Sequence, residues 1–501
     1  MRASVSSTSR MRDSRSVKPS VRVYVSTVRS FRARTQSSCF SPVTSSSHRY
    51  GSVVSSLMTH SYPPLTCRGR QADCDLVQMH PSDARREWLG DRIPGDLFAL
   101  YCFDAPAVPV AEVLAELRSR VAAMGELQVR MVEVPAGLDY PYWTACGPGP
   151  DRVVVHESGS YGQVLDTLSG LVATRVDVTV SPWRLHIFQQ VADAPRGNGP
   201  ALVVVLQMSH AFADGVRTSA LARDLLSGIA TPTTPPRAPS PAGMLARALL
   251  RLPLSIPQVI ADGRRAVEAQ RQLAEPSVPQ PAPGRPLVAV NTAPGPRRAV
   301  RTVVVDTADL RRVGTVTVGA LTVIGAALSD FLGVDELSAE VPVAVPTATS
   351  RNSYRNVGVD LHCTIRDPHE RAVAIAADLA SQRIRARHPA MAVRARTDDH
   401  VPAPLLRFGT DRLDLSVVPP TVTGNTVVSS VDRGRADLEL GGGRVRFTSG
   451  FPGLSPVQAL THGVHGIGEA VTLSVTTSPE VVDAAGLARY VALLCEAVAA
   501  L

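Results

Sequence analysis

The chain has 501 residues, with 44% hydrophobic and 19% charged residues, a globular profile too long for one ordinary core. Its formal charge of +8 suggests a nucleic-acid partner, but residues 1–72 hold eleven Arg and one Lys against Asp13 alone, which leaves the remainder near −3. With aromatics at 4% as well, neither a phosphate-binding surface nor a base-stacking platform is expected, and nucleic acid is excluded as a partner.

Residues 1–75 read as a disordered Ser/Arg-rich tail. An organellar transit peptide shares that composition, but plain disorder, or a chain that starts downstream at Met79, is favoured over targeting. The seven cysteines, Cys39, Cys67, Cys74, Cys102, Cys146, Cys363 and Cys495, are scattered and lack metal spacing, which implies free thiols in a reducing compartment. A cytoplasmic protein is expected.

An N-terminal domain is expected over 76–230. Val113–Met124 has helical apolar spacing, Leu127–Val134 alternates like a strand, and Val153–His156 is a short strand. Tyr161–Ala173 follows as a helix, then Leu185–Gln190 and Leu202–Met208 as apolar strands joined through a turn at Asp193–Pro200. Residues 231–298 form a linker: fourteen prolines fall between Pro232 and Pro296, around a proline-free helix at Gln258–Glu275. Met244–Leu252 places Arg247 and Arg251 one turn apart on an apolar segment. That suits a membrane surface or packing across two domains equally. One long uncharged run, Val313–Ser329, is seventeen residues and reads as a buried core helix.

A C-terminal domain is expected over 299–501. Its strands are Val300–Val305, Val341–Val345, Val427–Val431, Leu438–Leu440, Val445–Thr448 and Ala470–Thr476, with a Gly441-Gly442-Gly443 turn. Its helices are Thr307–Val313, Ala320–Leu332, Glu370–Arg387 and Ala484–Ala499. His462 and His465 fall in a Gly-rich stretch read as a loop; with no acid or cysteine partner nearby, no metal site is assigned.

The chemistry-bearing stretch is Leu202–Leu226, where an apolar strand runs into Ser209-His210-Ala211-Phe212-Ala213-Asp214-Gly215 and then a helix. A histidine at a strand end can face a cleft, and an imidazole near pKa 6.5 suits proton transfer. Asp214 is placed to cap the helix or pair with a cation, and Gly215 to let the chain turn. A core histidine followed by a capped helix fits the same residues, so spacing alone leaves both readings open. Ser209 is not a nucleophile: neighbours in extended chain face opposite ways, and no G-x-S-x-G elbow occurs.

The stretch resembles the bacterial wax ester synthase/diacylglycerol acyltransferase family, within the group of chloramphenicol acetyltransferase-like and condensation domains. The family motif is His-His-x-x-x-Asp-Gly, and Ser209 replaces the first His. His80-Pro81-Ser82-Asp83, Ser181-Pro182-Trp183-Arg184-Leu185, Val341-Pro342-Val343, Asn356-Val357-Gly358 and Val428-Ser429-Ser430-Val431 are similar to further family elements, in order. Gly319-Ala320 stands where the family has Asn-Asp, Ser430 where it has Asn, and no Pro-Gly-Pro follows Val431.

The resemblance implies an α/β (α+β) fold of two chloramphenicol acetyltransferase-like domains with a tunnel between them. It implies His210 and Asp214 as catalytic residues, Ser209 and Gly215 as motif residues, and Asn356, Ser429 and Ser430 at the substrate. It further implies acyl-CoA as co-substrate, no permanently bound cofactor, and a lipid alcohol or diacylglycerol as acceptor. Peripheral attachment to the inner membrane face or a lipid droplet is part of the same expectation. Two alternatives stay open: a catalytically lapsed homologue that binds acyl chains or a partner, and a condensation-type transferase with another acceptor.

Overall fold

The computed structural model describes residues 78–501, except 148–150, 158, 230–231 and 346–349. The Ser/Arg-rich tail and Cys39, Cys67 and Cys74 lie outside the described residues.

Two six-stranded sheets organise the chain. The first is built on β1 (Leu97–Asp104), β4 (Val153–His156), β5 (Trp183–Val191) and β6 (Ala201–Met208). Strand β6 reads ALVVVLQM and is buried throughout, because both faces of the sheet are covered. Leu202, Val204 and Leu206 meet α2 (Val110–Ala123) and α4 (Gly215–Ser227) through Leu117 and Leu225. Val203 and Val205 face the opposite way, toward Val164 and Leu168 of α3 (Tyr161–Leu171). A small ribbon, β2 (Val129–Val132) with β3 (Tyr142–Ala145), stands beside this layer, and α1 (Pro81–Leu89) precedes it.

The linker helix is longer than the prolines suggested. Helix α5 runs unbroken over Pro241–Leu273, through Pro253 and Pro257. Each proline removes one backbone donor, but both are exposed, so water can satisfy the freed carbonyls. By length and composition alone α5 could cross a membrane, and only 11% of its apolar window is buried.

The second sheet holds β7 (Ala299–Asp306), β8 (Ser338–Ala344), β9 (Tyr354–Asp360), β10 (Thr426–Asp432), β13 (Leu460–Ile467) and β14 (Ala470–Thr477), in the order β7-β14-β13-β10-β8-β9. Between β7 and β8 come the short α6 (Thr307–Arg311) and α7 (Val316–Leu332). Helix α7, the long uncharged run, is a core helix: Leu321, Ile324 and Leu328 pack with Leu379 of α8 (Pro368–Arg387) and Leu494 of α11 (Ala484–Ala499). Helices α9 (Pro389–Ala395) and α10 (Ala403–Asp411) complete the described elements.

The sheets do not divide at residue 298. Strands β11 (Glu439–Leu440) and β12 (Gly443–Gly450) come from the second half of the chain yet finish the first sheet, where Ala99 of β1 pairs with Gly450. Gly441 and Gly442 link β11 to β12 with φ of +58° and +81°, the left-handed pair that a two-residue hairpin loop requires. At the seam, a Cβ on Gly463 of β13 would stand 2.5 Å from the Gly450 carbonyl, so the strands meet here only because both residues are glycine.

His462 and His465 are corrected by this sheet. They lie on β13, not in a loop, and their odd spacing puts them on opposite faces. His462 is fully engaged, with Thr426 Oγ1 at 2.9 Å and the Tyr490 hydroxyl at 2.7 Å. Among the described residues, no cluster of three or more His, Cys, Asp or Glu is arranged to hold a metal ion.

Candidate active site

Strand β6 ends at Met208, and the chain turns at once. Ser209 N–H donates to the Pro182 carbonyl at 2.8 Å, while the Ser209 carbonyl accepts from Phe212 N–H at 2.9 Å. The Ser209 hydroxyl accepts from Ala211 N–H at 3.3 Å, closing a local turn. Phe212 locks the turn into the core by an edge-on contact with Trp143, 5.0 Å between ring centres. Ser209 is thus buried beneath the site, and His210 is presented at a cavity between the two sheets.

A second segment holds this turn in place. Asn352 Nδ2 donates to the His210 carbonyl at 2.9 Å and to Asp83 Oδ1 at 2.8 Å. Asp83, buried at the start of α1, also accepts from Ser350 Oγ and Arg351 N–H, each at 3.0 Å. Asp214 is the N-cap of α4, with Oδ1 accepting from Arg217 N–H at 2.8 Å. Its Oδ2 accepts from Ser353 N–H, also at 2.8 Å. The next residue, Tyr354, brings its hydroxyl to 3.3 Å from His210 Nε2. Two remote segments, α1 and residues 350–354, therefore hold the turn that presents His210.

Burial, reinforced by the nearby Arg86 guanidinium, pushes the His210 pKa down to about 3. The ring is neutral at neutral pH, the form that can accept a proton. Tyr354 moves the other way: burial raises its phenol, which keeps its proton. His210 Nδ1 has no hydrogen-bond partner among the described residues.

The cavity measures about 380 Å³. Its lining brings together His210, Asp214, Gly215, Asn356, Ser429 and Ser430, residues spread over 221 positions of sequence. Their side chains are not equally available. Asn356 Nδ2 donates to Glu340, and Ser430 Oγ lies 2.9 Å from Thr317 Oγ1 in the first turn of α7. Gly215 has no left-handed backbone; a Cβ there would meet Val431 at 3.4 Å, so the glycine keeps space rather than enabling a turn. Asn352, Tyr354 and Arg86 were not singled out from sequence, and only Asp83 fell inside a quoted motif.

Residues 94–321 match the model of the wax ester synthase/diacylglycerol acyltransferase catalytic domain. Over that stretch the chain is similar to this family. Among solved structures, the wax ester synthase/diacylglycerol acyltransferase from Marinobacter aquaeolei VT8 is similar with a TM-score of 0.57 at 17% identity, over 85% of this chain and 98% of that one. The first condensation domain of the CDA synthetase gives a TM-score of 0.51 at 15% identity, over 84% and 96%. A starter condensation domain of rhizomide synthetase, solved with C8-CoA and Leu-SNAC, gives 0.50 at 13%, over 86% and 96%. These likenesses are of fold, and they place the chain's two-sheet architecture with acyltransferase and condensation domains. No curated protein matches the sequence.

Proposed function

We propose that the protein is an acyl-CoA-dependent O-acyltransferase that moves a fatty acyl group to a hydroxyl acceptor, a diacylglycerol or a long-chain alcohol, with His210 as general base. The observation that carries this reading is the His210 imidazole, presented by a turn held from two remote segments at the cavity between the sheets, its Nε2 3.3 Å from the Tyr354 hydroxyl.

In this mechanism the acceptor O–H approaches His210 Nε2, where the Tyr354 hydroxyl marks a position within hydrogen-bond reach. His210 takes the proton as the oxygen attacks the thioester carbonyl. The new C–O bond forms, the C–S bond breaks, and the imidazolium returns its proton to the departing thiolate of coenzyme A. No acyl-enzyme forms and no permanent cofactor is needed; acyl-CoA is a co-substrate. Asp214 acts through position, tying α4 to the Ser353 backbone. Ser429 lines the substrate space, with Asn356 and Ser430 shaping it while bound to their own partners. General-base action supplies about 10²–10⁴ in rate, and positioning of the two substrates supplies further acceleration.

The protein is placed by this reading in the cytoplasm at the inner membrane face or a lipid droplet. The support is α5, which exposes Leu249, Leu250, Leu252, Leu254 and Ile256 on a segment carrying Arg247 and Arg251.

The test is a transfer assay with purified protein, radiolabelled acyl-CoA and a panel of diacylglycerol, long-chain alcohols and amines. Labelled ester formed with equimolar thiol release is expected. Thiol release without any acceptor would instead indicate a thioesterase, and no product with any acceptor would point to a lapsed homologue.

A further inference from the structure

The lining of the cavity includes a buried cation with no counter-ion among the described residues. Arg433 follows β10 directly, in Asp432-Arg433-Gly434, and its backbone N–H donates to the Gly466 carbonyl at 2.8 Å. It is only 6% exposed, yet it lines the cavity. Among the described residues its Nε and Nη1 have no hydrogen-bond partner, and no carboxylate forms an ion pair with it. The guanidinium stacks over the Tyr101 ring at 5.0 Å.

Beside it, His465 also lines the cavity, is 5% exposed, and has an unpartnered Nδ1. Gly450 makes room for both: a Cβ there would stand 2.7 Å from His465 Nε2 and 3.0 Å from Arg433 Nη2. The carboxylates on the same lining are already engaged. Asp214 accepts from two backbone N–H groups, and Glu340 from Asn356 and Gln458. An uncompensated buried charge is costly, and a fixed guanidinium is the group best shaped to hold a carboxylate or phosphate.

We infer that Arg433 and His465 form an oxyanion-recognising subsite in the His210 cavity, so that a hydroxyl acceptor also carrying a carboxylate or phosphate is preferred over a plain diacylglycerol or alcohol. The inference rests on the acyl-transfer reading for the word acceptor, but the anion site itself does not depend on turnover. The phosphates of coenzyme A share this chemistry, so coenzyme A is run as a competitor in the binding measurement below; loss of the charged-probe preference in its presence would move the site from the acceptor to coenzyme A and overturn the inference. The transient oxyanion of acyl transfer is a poorer match, because neutral N–H donors suffice for it.

Two matched pairs of probes test this. They are ω-hydroxypalmitate against its methyl ester, and lysophosphatidate against monoacylglycerol, each measured by calorimetric binding and by acyl transfer. Wild-type protein should bind at least one charged member about ten- to hundredfold more tightly than its neutral partner, the effect of a charge-assisted hydrogen-bonded contact. The pair that shows the preference identifies carboxylate or phosphate. In Arg433→Met the ratio should fall close to one, through KM rather than kcat, and Arg433→Lys should restore part of it. Equal binding of charged and neutral probes by the wild type overturns the inference, whether or not any variant folds. An equal loss of kcat for all acceptors in Arg433→Met also overturns it, by assigning Arg433 to the reacting centre. Charged-probe preference in a protein that transfers nothing would sustain the subsite and remove the enzymatic reading instead.

Discussion

The Tyr354 hydroxyl lies 3.3 Å from His210 Nε2, across 144 residues of sequence, in a cavity that both side chains line. Tyr354 sits at the start of β9, immediately after the segment whose Asn352 and Ser353 grip the His210–Asp214 turn. The His210 ring and the strap that packs against its turn are thus one assembly. Tyr354→Phe keeps the aromatic body and removes the hydroxyl. That hydroxyl holds the Nε2 position the acceptor must take, so freeing Nε2 of a hydrogen bond of about 0.5–1.5 kcal/mol should lower the acceptor KM by about two- to tenfold with little change in kcat. Steady-state kinetics of acyl transfer measure this; an unchanged KM would contradict approach of the acceptor at Nε2.

Asp214 should prove structural as well as positional. Asp214→Ala removes an N-cap, worth about 0.5–2 kcal/mol, and the acceptor for Ser353 N–H. A loss of about 1–3 kcal/mol in denaturant unfolding is expected. Asp214→Asn, which can still cap through its one amide oxygen but turns a donor toward Ser353 N–H, should recover only the capping part of that loss. Equal losses in the two variants would mean that charge, and not capping, is what Asp214 provides.

The protein should be sensitive to mild acid. Burial lowers His186 to about 4, His210 and His462 to about 3, and His465 well below 6.5. In the unfolded chain each imidazole titrates near its ordinary 6.5. Below that pH the unfolded state binds protons that the folded state refuses, so stability present above about pH 6.5 is lost as pH falls toward the folded values. Each group costs up to about 1.4 kcal/mol per pH unit. Glu87 and Asp96 act in the opposite sense, because burial raises both and the folded state keeps their protons as the pH drops. They begin to offset the histidines as pH falls through their raised folded-state values, above the range where carboxyl groups titrate in the unfolded chain. Thermal melts from about pH 8 down to about 5 should show Tm constant at first and falling below about 6.5. A flat Tm across that range would contradict the burial of these rings. The acid limb of kcat/KM should follow the loss of fold and not a base with pKa near 6.5.

Sequence made the strands and the central motif legible where local pattern and tertiary demand agree. Strand β6 is a β-branched apolar run, and burial on both faces is what such a run requires. The His210–Gly215 turn is likewise local, since its bonds join residues two to four apart. What stayed hidden was set by remote neighbours. Strand β13, LTHGVHGI, looks like a loop because its glycines and histidines answer to β12 and α11 and not to strand propensity: Gly463 must pass the Gly450 carbonyl, and His462 must meet Tyr490. Helix α5 was cut short by Pro253 and Pro257, whose cost falls on an exposed helix where water relieves it. The Asp83–Asn352 bond joins residues 269 apart, and no spacing rule reaches that far.

Helix α5 offers a test of location. Leu249, Leu250, Leu254 and Ile256 are between 56% and 72% exposed, on a helix that carries two arginines within its apolar stretch. Wild-type protein should float with anionic liposomes, and Leu250→Glu with Ile256→Glu should weaken that binding by at least tenfold, since an apolar side chain of this size contributes about 1.5–3 kcal/mol on burial. A wild type that stays wholly in the soluble fraction would assign this face to another role.

The most direct test of the central claim is the fate of His210. Transfer of radiolabelled acyl groups to acceptor should be compared in wild-type protein and in His210→Gln, with circular dichroism confirming that both are folded. A fall of about 10²–10⁴-fold in kcat in a folded variant is the expected result. A folded His210→Gln protein with wild-type transfer rates would contradict the account.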